Sequence, residues 1–321
     1  METVKTAVIG VGGWGKNHVR VFYELDEAEL IAICDIDPIR LKYYSQKYHV
    51  KGFKDYKELI KECKPEVVSI CTPTTTHAKI AIDCIKAGIA TLIEKPLATS
   101  LHEAINILRI VEEEGVLATV GFIERFNPGV NKVKELVDDG AIGKIVLFTS
   151  KRVSRWPQRK GDVGVVKDLA IHDIDLARYI IGEEPNTVFC MAGKLRHKIF
   201  EDYATIMLTF SENTTAIIEA NWITPRKIRK LSITGTEGLI TLDYLTQQVT
   251  VEDEKGLYQP KYEWKEPLKI ELLHFLKAFR GIEKLRVTIE DGVIALLIAE
   301  EALKSSIKNE PVKIEFGKIR R

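Results

Sequence analysis

A strand-like run, Val4 to Ile9, leads at once into Gly10-Val-Gly-Gly-Trp-Gly15 and then into an amphipathic stretch. Few local patterns restrict a fold as tightly. Glycines spaced G-x-G-x-x-G let a chain leave a parallel strand, turn sharply and enter a helix. Gly10 permits the turn, Gly12 lets a pyrophosphate approach the backbone beside Gly13 and Trp14, and Gly15 lets helix and strand pack closely. The N–H groups freed at the helix N-terminus then face the phosphates. Asp35 follows Gly15 by twenty residues and closes the next strand-like run. An acid in that place accepts hydrogen bonds from the adenosine ribose and repels a 2′-phosphate. Turn and acid together predict a dinucleotide site that takes NAD, with NADP disfavoured. Arg40, one turn into the following helix, is either a solvated helix face or a cation able to swing toward a phosphate.

Around this feature the chain alternates short apolar runs with amphipathic segments, the pattern of βαβ units on a parallel sheet. The runs are Val4 to Ile9, Leu30 to Cys34, Val67 to Cys71, Ala90 to Ile93 and Ala118 to Gly121, with helices beginning near Gly15, Pro38, Thr76 and Ser100. Beyond about Ile123 the rhythm changes. A helix from Pro128, a strand near Ile145 and a helix over Leu169 to Ile181 precede six alternating segments between Thr187 and Glu252, which read as a mostly antiparallel sheet. Helices over Glu271 to Phe279 and Glu290 to Lys308 close the chain. With 321 residues and 45% hydrophobic content, two cores are expected rather than one. The predicted domains are 1–122 and 123–321.

The 47 basic and 46 acidic residues leave a net charge of +1, so no global field draws the chain to nucleic acid or to a membrane. No apolar leader precedes Val4, no later run is long enough to span a bilayer, and the five cysteines have neither C-x-x-C nor metal-ligand spacing. The expectation is a cytoplasmic protein with reduced thiols and no bound metal.

After the fifth strand-like run stands Glu94-Lys95-Pro96. With Cys71-Thr-Pro-Thr74 and His77, Gly121-Phe-Ile-Glu-Arg-Phe-Asn-Pro128 and Asp168-Leu-Ala-Ile-His172-Asp-Ile-Asp175, it follows an order that resembles the Gfo/Idh/MocA oxidoreductase family along essentially the whole chain. The resemblance implies an N-terminal Rossmann domain and a C-terminal α/β domain whose open sheet often forms the subunit interface. A homodimer or homotetramer joined through that sheet is therefore expected.

Read from the residues, Lys95 ends a parallel strand, where open α/β sheets bind ligands, beside a proline expected in the trans form. Asp168 and His172 share a helix face at i and i+4, with Asp175 three residues on. Oxidation of a secondary alcohol by NAD needs a base to take the hydroxyl proton and a cation to steady the alkoxide. His172 is assigned as base, Asp168 as the carboxylate that orients or tunes the relay, and Lys95 as the cation; the resemblance implies the same trio. Thr72, Pro73 and Thr74 are expected on the cofactor's ribose side and Glu94 at the nicotinamide ribose. Arg125 is expected at the cofactor and Asn127 at the substrate. His77 either caps a helix or serves the cofactor, while His18 and His197 read as packing.

Lys151-Arg-Val-Ser-Arg-Trp-Pro-Gln-Arg-Lys-Gly-Asp162 gathers five basic residues and a tryptophan ahead of that helix, and Arg226-Lys-Ile-Arg-Lys230 is a second basic stretch. Arg155, Trp156 and Arg159 are the predicted substrate contacts, since arginine forks and an aromatic surface suit a phosphorylated or nucleotide-linked sugar. A solvated loop is the alternative. The run Asp162-Val-Gly-Val-Val-Lys-Asp168 also resembles family members that are UDP-N-acetylglucosamine 3-dehydrogenases. The expected activity is oxidation of a nucleotide sugar's secondary hydroxyl, with inositol or free-sugar dehydrogenase as the alternative. An NAD-using glycoside hydrolase and a non-catalytic NAD-sensing regulator are further alternatives.

Overall fold

The computed structural model describes residues 2–157 and 161–319. They form two compact units, Met1–Ile123 with Glu266–Val293, and Glu124–Lys265 with Ile294–Arg321.

In the first unit the chain runs β1 (Val4–Ile9), α1 (Gly15–Glu24), β2 (Ala28–Cys34), α2 (Pro38–Tyr48), β3 (Lys51–Phe53), α3 (Tyr56–Cys63), β4 (Val67–Ile70), α4 (Thr74–Lys86), β5 (Ala90–Glu94), α5 (Leu101–Glu114) and β6 (Ala118–Gly121). Every strand pair is parallel and the order is β3-β2-β1-β4-β5-β6. The direction of winding therefore reverses between β1 and β4, and the carboxyl ends beside that reversal open a crevice of the kind that holds dinucleotides. Burial on both faces explains why β4, β5 and β6 are continuous apolar or small-residue runs rather than alternating ones. Helix starts follow local chemistry. The Asp37 carboxylate accepts from the N–H groups of Ile39 and Arg40 with Pro38 at the first helical position, and Ser100 accepts from Glu103 N–H. β3 is not legible in the sequence, because its three residues are too few to display a period, and without that strand α3, only eight residues long, has no βα unit to mark it.

The second unit contains α6 (Pro128–Asp138), β7 (Ile145–Val153), α7 (Ile171–Ile181), β8 (Thr187–Gly193), β9 (Tyr203–Thr209), β10 (Thr215–Asn221), β11 (Ile228–Gly235), β12 (Gly238–Asp243), β13 (Gln248–Asp253) and β14 (Gly256–Tyr258). With β15 (Val312–Lys313) these strands order as β14-β13-β12-β11-β7-β10-β9-β8-β15 among the described residues. Only the β7–β10 pair of that sheet is parallel among the described residues. Strict alternation along β9 and β10 sends Ala204, Ile206, Leu208, Ala216 and Ile218 inward. The opposite face of β8 and β9 keeps Met191, Tyr203 and Met207 exposed.

The expected contiguous domain 123–321 is not what packs together. α8 (Pro267–Phe279) belongs to the first unit, where Leu268, Leu272, Phe275 and Leu276 join the core formed with Val19 and Phe22 of α1. Arg20 of α1 also donates to the Glu266 carboxylate at the start of α8. The spacing of these four apolar residues produces one stripe, and the stripe seals the outer side of α1. α9 (Ile289–Lys308) begins with the reciprocal pair that its sequence suggests. Thr288 N–H bonds the Asp291 carboxylate, and Asp291 N–H bonds the Thr288 hydroxyl. No helix among the described residues is long and apolar enough to cross a membrane.

Candidate functional site

The glycine turn joins β1 to α1 in the geometry that its sequence demands. Gly10 has φ +90°, and a Cβ there would lie 2.8 Å from the backbone of Cys71 and Thr72. At Gly15 a Cβ would stand 1.8 Å from the Gly10 carbonyl oxygen. Packing of strand, turn and helix thus dictates both residues. Around Gly13 nothing lies within 4 Å of a Cβ position, and at Gly12 the nearest atom is the flexible Arg40 Nη1 at 3.3 Å. α1 has no side-chain cap and no acid in its first turn. Room above two glycines and free N–H groups at a helix start fit the pyrophosphate of a dinucleotide.

Asp35, buried at the end of β2, accepts the Val11 N–H through Oδ2 and the Asp37 N–H through Oδ1, each at 2.8 Å. It therefore shapes the turn, and each oxygen keeps a further lone pair for a ribose hydroxyl. Arg40 is more than a solvated face. Its Nε lies 3.0 Å from Asp37 and its Nη1 3.8 Å from Asp35, over the glycine turn.

After β4, the Thr76 hydroxyl donates to the Pro73 carbonyl and lies 2.8 Å from Thr72 Oγ1, and Thr74 opens α4. His77 neither caps this helix nor reaches its surface. Its ring is buried, with Nδ1 2.9 Å from the Pro96 carbonyl oxygen and Nε2 3.0 Å from that of Thr72. It ties the loop after β4 to the loop after β5.

Glu94 turns inward rather than toward a ribose. Its Oε1 accepts from the Trp14 indole N–H at 2.8 Å and lies 3.0 Å from His18 Nε2, while Oε2 accepts the Lys95 N–H at 3.2 Å. Burial opposes ionisation here. The hydrogen bond and charge of His18, the Lys95 ammonium and the Trp14 indole outweigh it and hold the carboxyl below its usual range. His18, read from sequence as packing, is thus part of the brace beneath Lys95, with Ser69 Oγ 3.2 Å from its Nδ1. The signal was its position four residues after Trp14 on one helix face. Lys95 is half-buried at the strand end, and the Lys95–Pro96 bond is cis rather than trans.

In the second unit, Asp168 does not lie in a regular α-helix. Val166–Ala170 forms a π-turn that runs into α7. Asp168 is half-buried within it, and His172 is buried in the first turn of α7. Beyond them Asp173 receives Arg152 through Nε at 2.5 Å and Nη2 at 3.2 Å, and Arg152 Nη1 bonds Glu124 at 2.7 Å. Burial weakens the charge on Arg152, but Asp173 and Glu124 more than offset it and keep the guanidinium firmly protonated. The Arg152 plane lies over the Tyr244 ring, whose hydroxyl donates to Asp173. This cluster fixes α7 on β7, and the sequence reading passed over it.

Two expected contacts are committed elsewhere. Arg125 holds Asp175 through Nε at 2.8 Å and Nη2 at 2.6 Å, with its guanidinium 5.0 Å from the Tyr179 ring centre. Asn127 caps α6 by accepting the Gly129 N–H, and its amide donates to Glu124 and to the Tyr244 carbonyl. Both donors of that amide are used, so the expected substrate contact is a structural cap. Arg155 donates through Nε to the Pro225 carbonyl. Trp156 meets Trp222 edge-on at 6.0 Å and lies 6.1 Å from the His197 ring. Arg159 lies outside the described residues. Lys95 belongs to the first unit, and Asp168 and His172 to the second.

Comparison with known proteins follows the same division. Residues 4–122 match the oxidoreductase family with NAD-binding Rossmann fold, and residues 130–241 match the Gfo/Idh/MocA C-terminal domain. The myo-inositol 2-dehydrogenase of Thermotoga maritima is 31% identical over 97% of this chain and 99% of its own. The UDP-N-acetylglucosamine 3-dehydrogenase of Acidithiobacillus ferrooxidans is 26% identical over 78% of this chain and 77% of its own. An oxidoreductase from Agrobacterium radiobacter, in a crystal structure with NAD+, L-tartaric acid and magnesium, shares the fold. Its TM-score is 0.89 at 23% identity, over 98% of this chain and 99% of that one. Matched through both of its halves, the chain belongs to the Gfo/Idh/MocA family and is an NAD-dependent oxidoreductase acting on CH–OH donors.

Proposed function

We propose that this chain oxidises a secondary hydroxyl of a nucleotide sugar, such as UDP-N-acetylglucosamine at its 3-position. The observation that supports this reading is the half-buried Trp156 beside His197, on the connections that enter the π-turn and follow β8, with the buried Trp222 after β10 meeting Trp156 edge-on. Flat rings beside a basic connection offer stacking and charge together, which a base and its phosphates use and a free polyol does not.

Gly12, Gly13, Trp14 and Asp35 hold the dinucleotide, with Thr72, Pro73 and Thr74 along its ribose side. Bound NAD+ supplies the hydride acceptor. Lys95 holds the reacting hydroxyl and steadies the alkoxide as it forms. His172 takes the hydroxyl proton on a ring nitrogen, and Asp168 orients and tunes that transfer. Glu94, braced by His18 and Trp14, positions Lys95.

The full-length likeness to a myo-inositol 2-dehydrogenase favours a second reading, a neutral cyclic polyol as substrate. Incubation with NAD and either UDP-N-acetylglucosamine, myo-inositol or free aldoses separates the two by the absorbance of reduced nicotinamide. Reduction with the neutral compounds alone would sink the nucleotide-sugar reading. His172→Ala and Lys95→Ala are each expected to lower kcat by about 10²- to 10⁴-fold, and full turnover in both would remove the assigned roles.

A further inference from the structure

β11 places Arg229 directly opposite Arg152 of β7, and opposite residues of an antiparallel pair project to one face of the sheet. That face is the buried one, since Leu231 and Ile233 farther along β11 are 1% and 0% exposed. The two guanidiniums have unequal surroundings. Arg152 takes both nearby carboxylates, Asp173 and Glu124. Arg229 forms no salt bridge among the described residues, and its Nη1 is buried with no hydrogen-bond partner there. Burial and the charge of Arg152 push its pKa down to about 10, against the pull of Asp173, Glu124 and Asp168.

A guanidinium with a buried Nη1 beside another cation costs the fold stability, and among the described residues no salt bridge to Arg229 offsets it. The position of the pair is the second argument. Asp168 acts on Arg229 electrostatically, and Asp173, two residues before Asp175 on α7, follows His172 directly. The start of β11 is also linked to the aromatic surface, because Arg155 holds the Pro225 carbonyl and Trp222 touches Trp156. A planar donor fork with a buried, unpartnered Nη1 matches a two-oxygen anion.

We propose that Arg229 forms an oxyanion subsite that receives a phosphate or carboxylate carried by the substrate. The inference rests on the reading of this chain as a sugar dehydrogenase and adds the charge of the sugar. When the anion arrives, the guanidinium gains the charge partner that the folded chain denies it. Two sources have this chemistry, the diphosphate of a nucleotide sugar and the carboxylate of a sugar acid.

The test is calorimetric titration of the full-length protein, saturated with NAD, with UDP, D-glucuronate, inorganic phosphate and the neutral control myo-inositol. At least one oxyanion is expected to bind the wild type. Arg229→Met is expected to weaken that binding about 30-fold or more, leave NAD and myo-inositol affinities unchanged, and hold or raise Tm because an uncompensated buried charge is gone. Arg229→Lys, which keeps the charge and loses the fork, should recover part of the affinity. Binding of UDP without D-glucuronate identifies the diphosphate source, and the reverse identifies the sugar acid. Absence of oxyanion binding to the wild type overturns the proposal, as does equal binding by wild type and Arg229→Met. Arg229-dependent oxyanion binding without NAD reduction by any sugar would keep the subsite and reject the dehydrogenase reading. NAD reduction without that dependence would do the opposite.

Discussion

Asp35 accepts the Val11 and Asp37 N–H groups and so shapes the glycine turn, and in the proposed cofactor site the same carboxylate would present negative charge to the adenosine ribose. Arg40 stands against it and Asp37. Asp35→Ser retains a hydrogen-bond acceptor, removes the repulsion and releases Arg40. The expected result is a rise in the NADP:NAD ratio of kcat/KM on the order of 10- to 100-fold, read from initial rates with each cofactor. An unchanged ratio would show that Asp35 serves the turn alone. Glu94 teaches a related lesson: a strand-end acid looks like a ligand in sequence, yet its charge is spent on Trp14, His18 and the Lys95 backbone.

At the scale of elements, α8 and the π-turn depart most from what local patterns suggest. α8 lies far along the chain but completes the core of the first unit with Leu272, Phe275 and Leu276. Phe275→Ala should therefore destabilise the NAD-binding unit by about 3–5 kcal/mol, seen as faster amide exchange in β1, β4 and β5 under mild urea. Exchange accelerated only in the strands β7 to β13 would place α8 with the wrong unit. The π-turn adds a residue to one helical turn and sets Asp168 apart from the regular face of α7, an irregularity that helices keep mostly at functional positions. Gly164 permits the approach to it: a Cβ there would stand 2.1 Å from the Glu201 carboxylate, which accepts the Val166 N–H.

For the whole molecule, the outer face of the second sheet carries the clearest expectation. Met191 and Met207 are 60% and 37% exposed on β8 and β9, and Phe189 lies opposite Met207 in register. Apolar side chains grouped on an open sheet suit a second copy. The double variant Met191→Glu and Met207→Glu should reduce the mass found by light scattering after gel filtration, and an unaltered mass would exclude this face as the interface. The sequence alone determined the strand, glycine turn and helix, the acid after β2, the capping of α5 and α9, and the alternation of β9 and β10. These depend on residues within a few positions of one another, whose periods and backbone limits act wherever the rest of the chain goes. Only the tertiary structure decided that His18 meets Glu94, 76 residues away, and that Arg152 meets Asp173, 21 residues away. It alone showed Asn127 and Arg125 committed within the second unit, α8 sealing the first, and Arg229 left without a partner carboxylate among the described residues. A charged side chain has the same identity whether or not a distant segment neutralises it, and that pairing is settled only when the segments pack.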